Sequence, residues 1–236
     1  MGEKEPKAKY IAVDSVEYQP LSSRSGVDFK RLLRSEALEV GQTRIGRTAN
    51  LDEREPSPSV RLAYVLRGRG LLRQRGEELP LSAGDLLVVP AGTPWGPQVS
   101  VLSEELVLLE IAAGSRRTDG RQAHPTHERQ PAPLRRVRPE EVPPYEPAGH
   151  AKTTNRCLYI DDELEVIEGF IDAGGGAERH YHEHNEQVLY LLEAREPLLI
   201  HYPRRAPHGT GGGLKEALKL LVVYAPPLGE SQNALA

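Results

Sequence analysis

The sequence predicts an all-β chain of two tandem antiparallel barrels with few short helices. Three observations carry that expectation. The chain repeats itself, its apolar residues fall in short runs between turn formers, and those runs are rich in β-branched types.

The repeat spans most of the 236 residues. LEV at 38–40 recurs at 164–166, Ile45 matches Ile171, and AYVLRG (63–68) matches LYLLEA (189–194), all at an offset of 126. PAGTPWG (90–96) then matches PRRAPHG (203–209), and VLLEIAA (107–113) matches LLVVYAP (220–226), both at 113. Two long registers separated by one length change indicate a duplication whose second copy is 13 residues shorter. The expected division is an N-terminal barrel over 1–114, a linker over 115–133 and a C-terminal barrel over 134–236. The linker, SRRTDGRQAHPTHERQPAP, carries charge and proline but no apolar periodicity.

In copy one, VDFKRLLR (27–34) places Phe29, Leu32 and Leu33 near helical spacing and is expected to be a short helix. LAYVL (62–66), DLLVVP (85–90) and LVLLEI (106–111) are expected strands, as are LEVIEGFI (164–171), VLYLL (188–192), LLIHY (198–202) and LKLLVVY (218–224) in copy two. Six or more short strands in a unit of roughly 100 residues fit a sandwich or small barrel. Copy one has a hairpin within LLRQRGEELPLSAGDLLVV (71–89), where copy two spends only 12 residues between Tyr190 and Pro203. The second barrel should therefore be open on one side or closed by another element, with a two-fold dimer preferred.

Composition narrows the function. Thirty-four acidic against thirty basic residues give a net charge of −4, and no basic tract interleaves with aromatics, so a nucleic-acid partner is not expected. No run approaches the ~18 apolar residues of a membrane span, and MGEKEPKAKY has no apolar signal region, so a cytoplasmic chain is expected. Cys157 is the sole cysteine, which excludes intramolecular disulfides and thiolate-rich zinc sites. Seven Lys against twenty-three Arg, with twenty prolines and one Met, lean toward a thermophilic source.

Five of the eight histidines fall between residues 180 and 208. In HYHEHNEQ (180–187), His180 and His182 are two apart, so both project from one face of a strand. Glu186 follows, and His208 arrives after PRRAP. Imidazoles and one carboxylate suit a first-row divalent ion, although a solvated His-rich loop would look similar. The copy comparison decides between them. Arg54, Pro56, Val60 and Trp95 occupy the matching positions in copy one, so the four candidates are absent together. That behaviour marks one metal site, in copy two. His184 falls at a turn, His201 reads as a strand-wall residue, and His124 and His127 as solvated linker. Cys157 reads as a small core residue, and the glycines at 211–213 as a loop at the barrel mouth. Trp95 is expected to fill the place of a ligand in copy one, and Arg54 the space of His180.

The stretch GGGAERHYHEHNEQVLYLLEA (174–194) resembles the first cupin motif, with Gly174, His180, His182 and Glu186 matching and Ala194 in place of the closing glycine. PRRAPHG (203–209) resembles the second, with Arg205 where glycine is usual. GDLLVVPAGTPW (84–95) keeps that second frame in copy one, with Trp95 for the histidine. The resemblance implies a bicupin of two jelly-roll barrels. It also implies one Fe, Mn, Ni, Cu or Zn ion held by His180, His182, Glu186 and His208. The expected function is a metal-dependent enzyme on a small polar molecule, of dioxygenase, isomerase or lyase type. The alternative is a ligand-binding or structural bicupin whose metal is vestigial or stabilising.

Overall fold

A computed structural model describes residues 6–21, 25–49, 57–74, 77–93, 99–114, 133–210, 213–228 and 234–235. It is all β. The strands in chain order are β1 (Lys9–Ala12), β2 (Gln19–Pro20), β3 (Val27–Arg34), β4 (Leu38–Gly46), β5 (Arg61–Arg67), β6 (Arg69–Gln74), β7 (Glu77–Ser82), β8 (Leu86–Val89), β9 (Val99–Val101) and β10 (Glu105–Ala113). They continue as β11 (Arg135–Val137), β12 (His150–Ile160), β13 (Glu165–Ala177), β14 (His180–Tyr181), β15 (Glu186–Leu191), β16 (Leu198–Tyr202), β17 (Leu218–Ala225) and β18 (Ala234–Leu235). Helical structure among the described residues is confined to two 3-10 turns, Val13–Ser15 and Pro139–Glu141. No described helix is long and apolar enough to cross a membrane.

The chain forms two compact units, residues 17–138 and residues 1–16 with 139–236. The first holds a seven-stranded sheet, β11-β8-β5-β10-β4-β3-β2, and a three-stranded sheet, β7-β6-β9. The second holds a six-stranded sheet, β1-β16-β15-β17-β13-β12, and the pair β14-β18. Apart from β2, which has no counterpart, the two large sheets share one strand order. The linear division into 1–114 and 134–236 differs from these units because each copy's leading strand pairs outside its own copy. β1 lies along β16, with Tyr10 opposite Ile200, and β11 lies along β8, with Arg136 opposite Leu87. The β16 edge that follows the shortened segment is thus paired within the chain.

Two local expectations are corrected. Residues 27–34 are a strand, not a helix: the β3–β4 register shifts between Arg31 and Leu33. Val27, Lys30, Leu32 and Leu33 are buried along this strand, and the extra residue at the bulge mimics helical spacing. The last strand also matches one residue earlier than the sequence alignment puts it, since Tyr64 faces Leu109 whereas Tyr190 faces Leu221. The β5–β10 pairing steps from Arg67 to Val65 between Val107 and Leu108, leaving Leu66 out of register.

Alternation then builds the cores. Val27, Ile45, Ala63, Val65, Leu106 and Leu108 of the first unit's large sheet pack with Leu72, Leu81 and Val99 of its small sheet. The matching face of the second unit carries Ile167, Leu220, Val222 and Tyr224, flanked by half-buried Ile171, Leu189, Leu218 and Leu228. Residues 192–197 contain no strand, so among the described residues β6 and β7 have no counterpart in the second unit.

Candidate metal centre

The site grows from a backbone feature. β14 and the segment at His208 meet as a single antiparallel bridge, His180 opposite His208, which sets two imidazoles on the same side. Two residues beyond His180, His182 returns to that side, and its carbonyl accepts the N–H of Arg205 at 2.8 Å. One ligating nitrogen from each of His180, His182 and His208 lies within 4.8 Å of the others. Ring centroids are 4.3 Å apart for His180 and His208, 4.9 Å for His182 and His208, and 5.0 Å for His180 and His182.

The rings are oriented for ligation. His180 Nδ1–H donates to the Glu178 carbonyl at 2.7 Å, and His208 Nδ1–H to the Ala206 carbonyl at 2.9 Å. A carbonyl can only accept, so each Nδ1 carries the proton and each Nε2 keeps its lone pair. Burial lowers the pKa of His180, and takes that of His208 down to about 3 against the partial opposition of the Ala206 bond. Both rings are therefore neutral at ordinary pH, the form that binds metal. His208 Nε2 is buried without a hydrogen-bond partner in the structure.

Two tyrosines wall the site. Tyr202 of β16 stacks on His208 at 4.4 Å, and Tyr224 of β17 meets His182 edge-on at 5.3 Å. Burial raises the Tyr202 phenol to about 12 and also raises that of Tyr224. Both remain protonated and neutral.

The group whose ligating atoms converge comprises the three histidines and does not include Glu186. Successive β15 side chains point to opposite faces. Gln187 pairs with Tyr202 and Tyr224, the tyrosines that touch His208 and His182. Glu186 shares the other face with Val188 and His201, and His201 Nε2 lies 3.0 Å from Glu186 Oε2. His201 is thus the partner of a buried carboxylate, more than the wall residue expected. Gln187 is 6% exposed, and its Nε2–H donates to Tyr224 Oη at 2.9 Å.

His184 is exposed and outside the cluster. Burial raises the Cys157 thiol pKa, which fits a core residue better than a nucleophile. His150, which the sequence did not single out, has its ring 6.1 Å from that of His180; it sits on β12, remote in sequence from the HxH signal. Arg54, Pro56, Trp95, His124, His127, Gly211 and Gly212 lie outside the described residues, as does most of the linker.

The departures from the motifs have local causes. Arg205 adopts φ 64°, and Gly92, its counterpart in copy one, φ 75°. The turn before the third histidine position therefore needs a left-handed residue in both copies, and Arg205 adopts it despite its Cβ. Gly68 has φ 93°, and a Cβ there would lie 2.2 Å from the Glu105 carbonyl oxygen. Its counterpart Ala194 has no positive φ, since the hairpin that demands the turn is missing.

Residues 49–112 match the family model described as Cupin domain. No curated protein matches the sequence. Among solved structures, the protein Ylba from E. coli, described under the family model DUF861, is 13% identical over 94% of this chain and 92% of its own, with a TM-score of 0.68. A putative glyoxylate induced protein from Pseudomonas aeruginosa is 12% identical over 100% of this chain and 92% of its own, also at 0.68. Oxalate decarboxylase from Bacillus subtilis, which has Mn(II) centres, is 15% identical over 95% of this chain and 78% of its own, at 0.62. At these identities the likeness shows the fold. Together with the domain match it supports the cupin superfamily.

Proposed function

We propose that this cupin-fold chain is a bicupin that holds one divalent transition metal at His180, His182 and His208 and acts as an enzyme on a small polar molecule. The carrying observation is the convergence of three imidazoles, two of them with Nδ1–H committed to a backbone carbonyl. Such donors suit Fe, Mn, Ni, Cu or Zn. When bound, the ion supplies Lewis-acid activation of an oxygen-bearing substrate.

The chain's own residues do the rest. The carbonyls of Glu178 and Ala206 hold two rings in one tautomer. Tyr202 and Tyr224 present neutral phenols, and Leu189, Leu220 and Val222 lower the dielectric beside them. The likeness to oxalate decarboxylase supports small carboxylates as substrates for a lyase, beside dioxygenase and isomerase chemistry.

A second reading, a ligand-binding or structural bicupin with a stabilising metal, is favoured by one observation. Among the described residues, the second unit has no counterparts of β6 and β7, which pack on the corresponding face in the first. Metal analysis of the purified chain should give one equivalent, lost in His182→Ala. A screen of the loaded protein for oxygen consumption on catechols, flavonols and β-diketones, and for decarboxylation of small dicarboxylates, separates the two readings. Metal-dependent turnover absent from His182→Ala supports the enzyme. Tight binding without turnover supports the alternative. The expected setting is a cytoplasmic homodimer, which light scattering would reveal as twice the 26.1 kDa chain mass.

A further inference from the structure

We propose that the fourth protein donor of the metal centre is the side-chain oxygen of Gln187, making the donor set wholly neutral. This rests on the metal reading above and goes beyond it. It replaces the expected carboxylate with an amide and changes the charge of the site.

Register makes the first argument. Gln187 is directly opposite Tyr202 on one side and Tyr224 on the other. Residues opposite in an antiparallel pair share a face. Tyr202 stacks on His208 and Tyr224 abuts His182, so Gln187 stands between the two side chains that wall the cluster. Glu186 is one residue out of phase and meets His201 on the other face.

Satisfaction makes the second. Gln187 Nε2–H donates to Tyr224 Oη at 2.9 Å, while Oε1 is buried without a partner in the structure. An unmet buried acceptor is costly, and buried polar groups normally have partners. The buried Nε2 of His208 is in the same state. A cation among these lone pairs satisfies both. The bond to Tyr224 commits Nε2 and leaves Oε1 as the free end of the amide, as an outer partner orients a ligand.

Three imidazoles and an amide leave the full double charge of the ion uncompensated, where a carboxylate would halve it. The open positions should therefore select an anionic ligand, such as a small carboxylate, as the counter-charge.

The test uses the full-length chain freed of metal by chelator dialysis and titrated calorimetrically with CoCl2. Melting curves check the fold of each variant. Removing an outer partner of a metal ligand typically weakens binding by about 10–100-fold. Gln187→Ala, which removes the donor itself, should weaken Co(II) binding at least about tenfold and change the visible Co(II) spectrum. Gln187→Glu, which keeps the oxygen and adds charge, should tighten binding. Glu186→Gln, which preserves the shape beside His201, should change affinity less than about threefold. Weakening by Glu186→Gln comparable to His182→Ala, with Gln187→Ala near wild type, would overturn the assignment. So would a Gln187→Glu variant that melts like wild type but binds no tighter. Absence of Co(II) binding by the wild-type chain would instead remove the metal reading, and this inference with it.

Discussion

His180 and His208 face each other across a single antiparallel bridge, each N–H donating to the other's carbonyl at 2.8 Å, with their rings 4.3 Å apart. Two candidate ligand positions 28 residues apart in sequence are thus set by main-chain geometry. Side-chain truncation should therefore leave the framework standing. We expect His208→Ala and His182→Ala each to lower bound metal below one-fifth of an equivalent, while exposed His184→Ala retains it. Metal analysis beside melting curves checks this; equal losses from His184→Ala would contradict the site.

The buried rings give the metal-free chain a defined pH response. His180 and His208 have lowered folded pKa values, the latter about 3. Below about 6.5 the unfolded chain takes up protons that the folded rings refuse. Stability is thus unaffected by these groups above that pH and declines as pH falls toward 3. The slope is up to about 1.4 kcal/mol per pH unit for each fully titrating ring. Urea melts between pH 7 and 4 should show the decline, and His208→Gln should reduce it.

Arg205→Gly should stabilise the chain. A side chain in the left-handed region costs roughly 1–2 kcal/mol, partly offset by the entropy glycine loses on folding. The Arg205–Glu183 pair that would be lost is 3.6 Å long and well exposed, so it contributes little. The expected gain is about 0.5–1 kcal/mol by denaturant titration.

The opposite substitution should fail in the first unit. Gly68→Ala would drive a Cβ to 2.2 Å from the Glu105 carbonyl at a φ of 93°. A loss of about 2 kcal/mol is expected, against about 0.5 kcal/mol for Ala194→Gly, whose backbone makes no such demand and whose cost is only the added entropy of the unfolded chain.

Removing residues 1–16 strips β1 from β16, exposing the edge at Leu198–Tyr202 and the contact between Tyr10 and Tyr202. The truncated chain should melt at least about 5 °C lower and aggregate on heating, because an unpaired edge invites intermolecular pairing. Differential scanning calorimetry with light scattering tests both effects.

The repeat was legible because core positions such as Ile45 and Ile171 occupy matching strands and keep similar apolar residues. His180 and His182 were legible because HxH spacing suits one strand face, and His208 because the copy comparison set it apart with them. The phase of β15 was not. Val188, Leu189, Tyr190 and Leu191 form a continuous apolar run, so alternation does not reveal whether Glu186 or Gln187 faces the histidines. Nor was the bulge in β3, since one inserted residue turns a period of two into apparent helical spacing. The partner of β1 was equally hidden, because KYIA carries no sign of which edge it joins.

That exchange of leading strands also orders events during synthesis. Unit one cannot complete the edge of its large sheet at β8 until Arg135–Val137 have left the ribosome. Lys9–Ala12 must wait for Leu198–Tyr202, which are made long after them. Contacts of such long sequence separation slow folding, and chains waiting for them expose unpaired edges. A nascent chain halted after the first repeat should therefore be held by chaperones rather than released as a finished barrel, and the two repeats mature together once the second has been made.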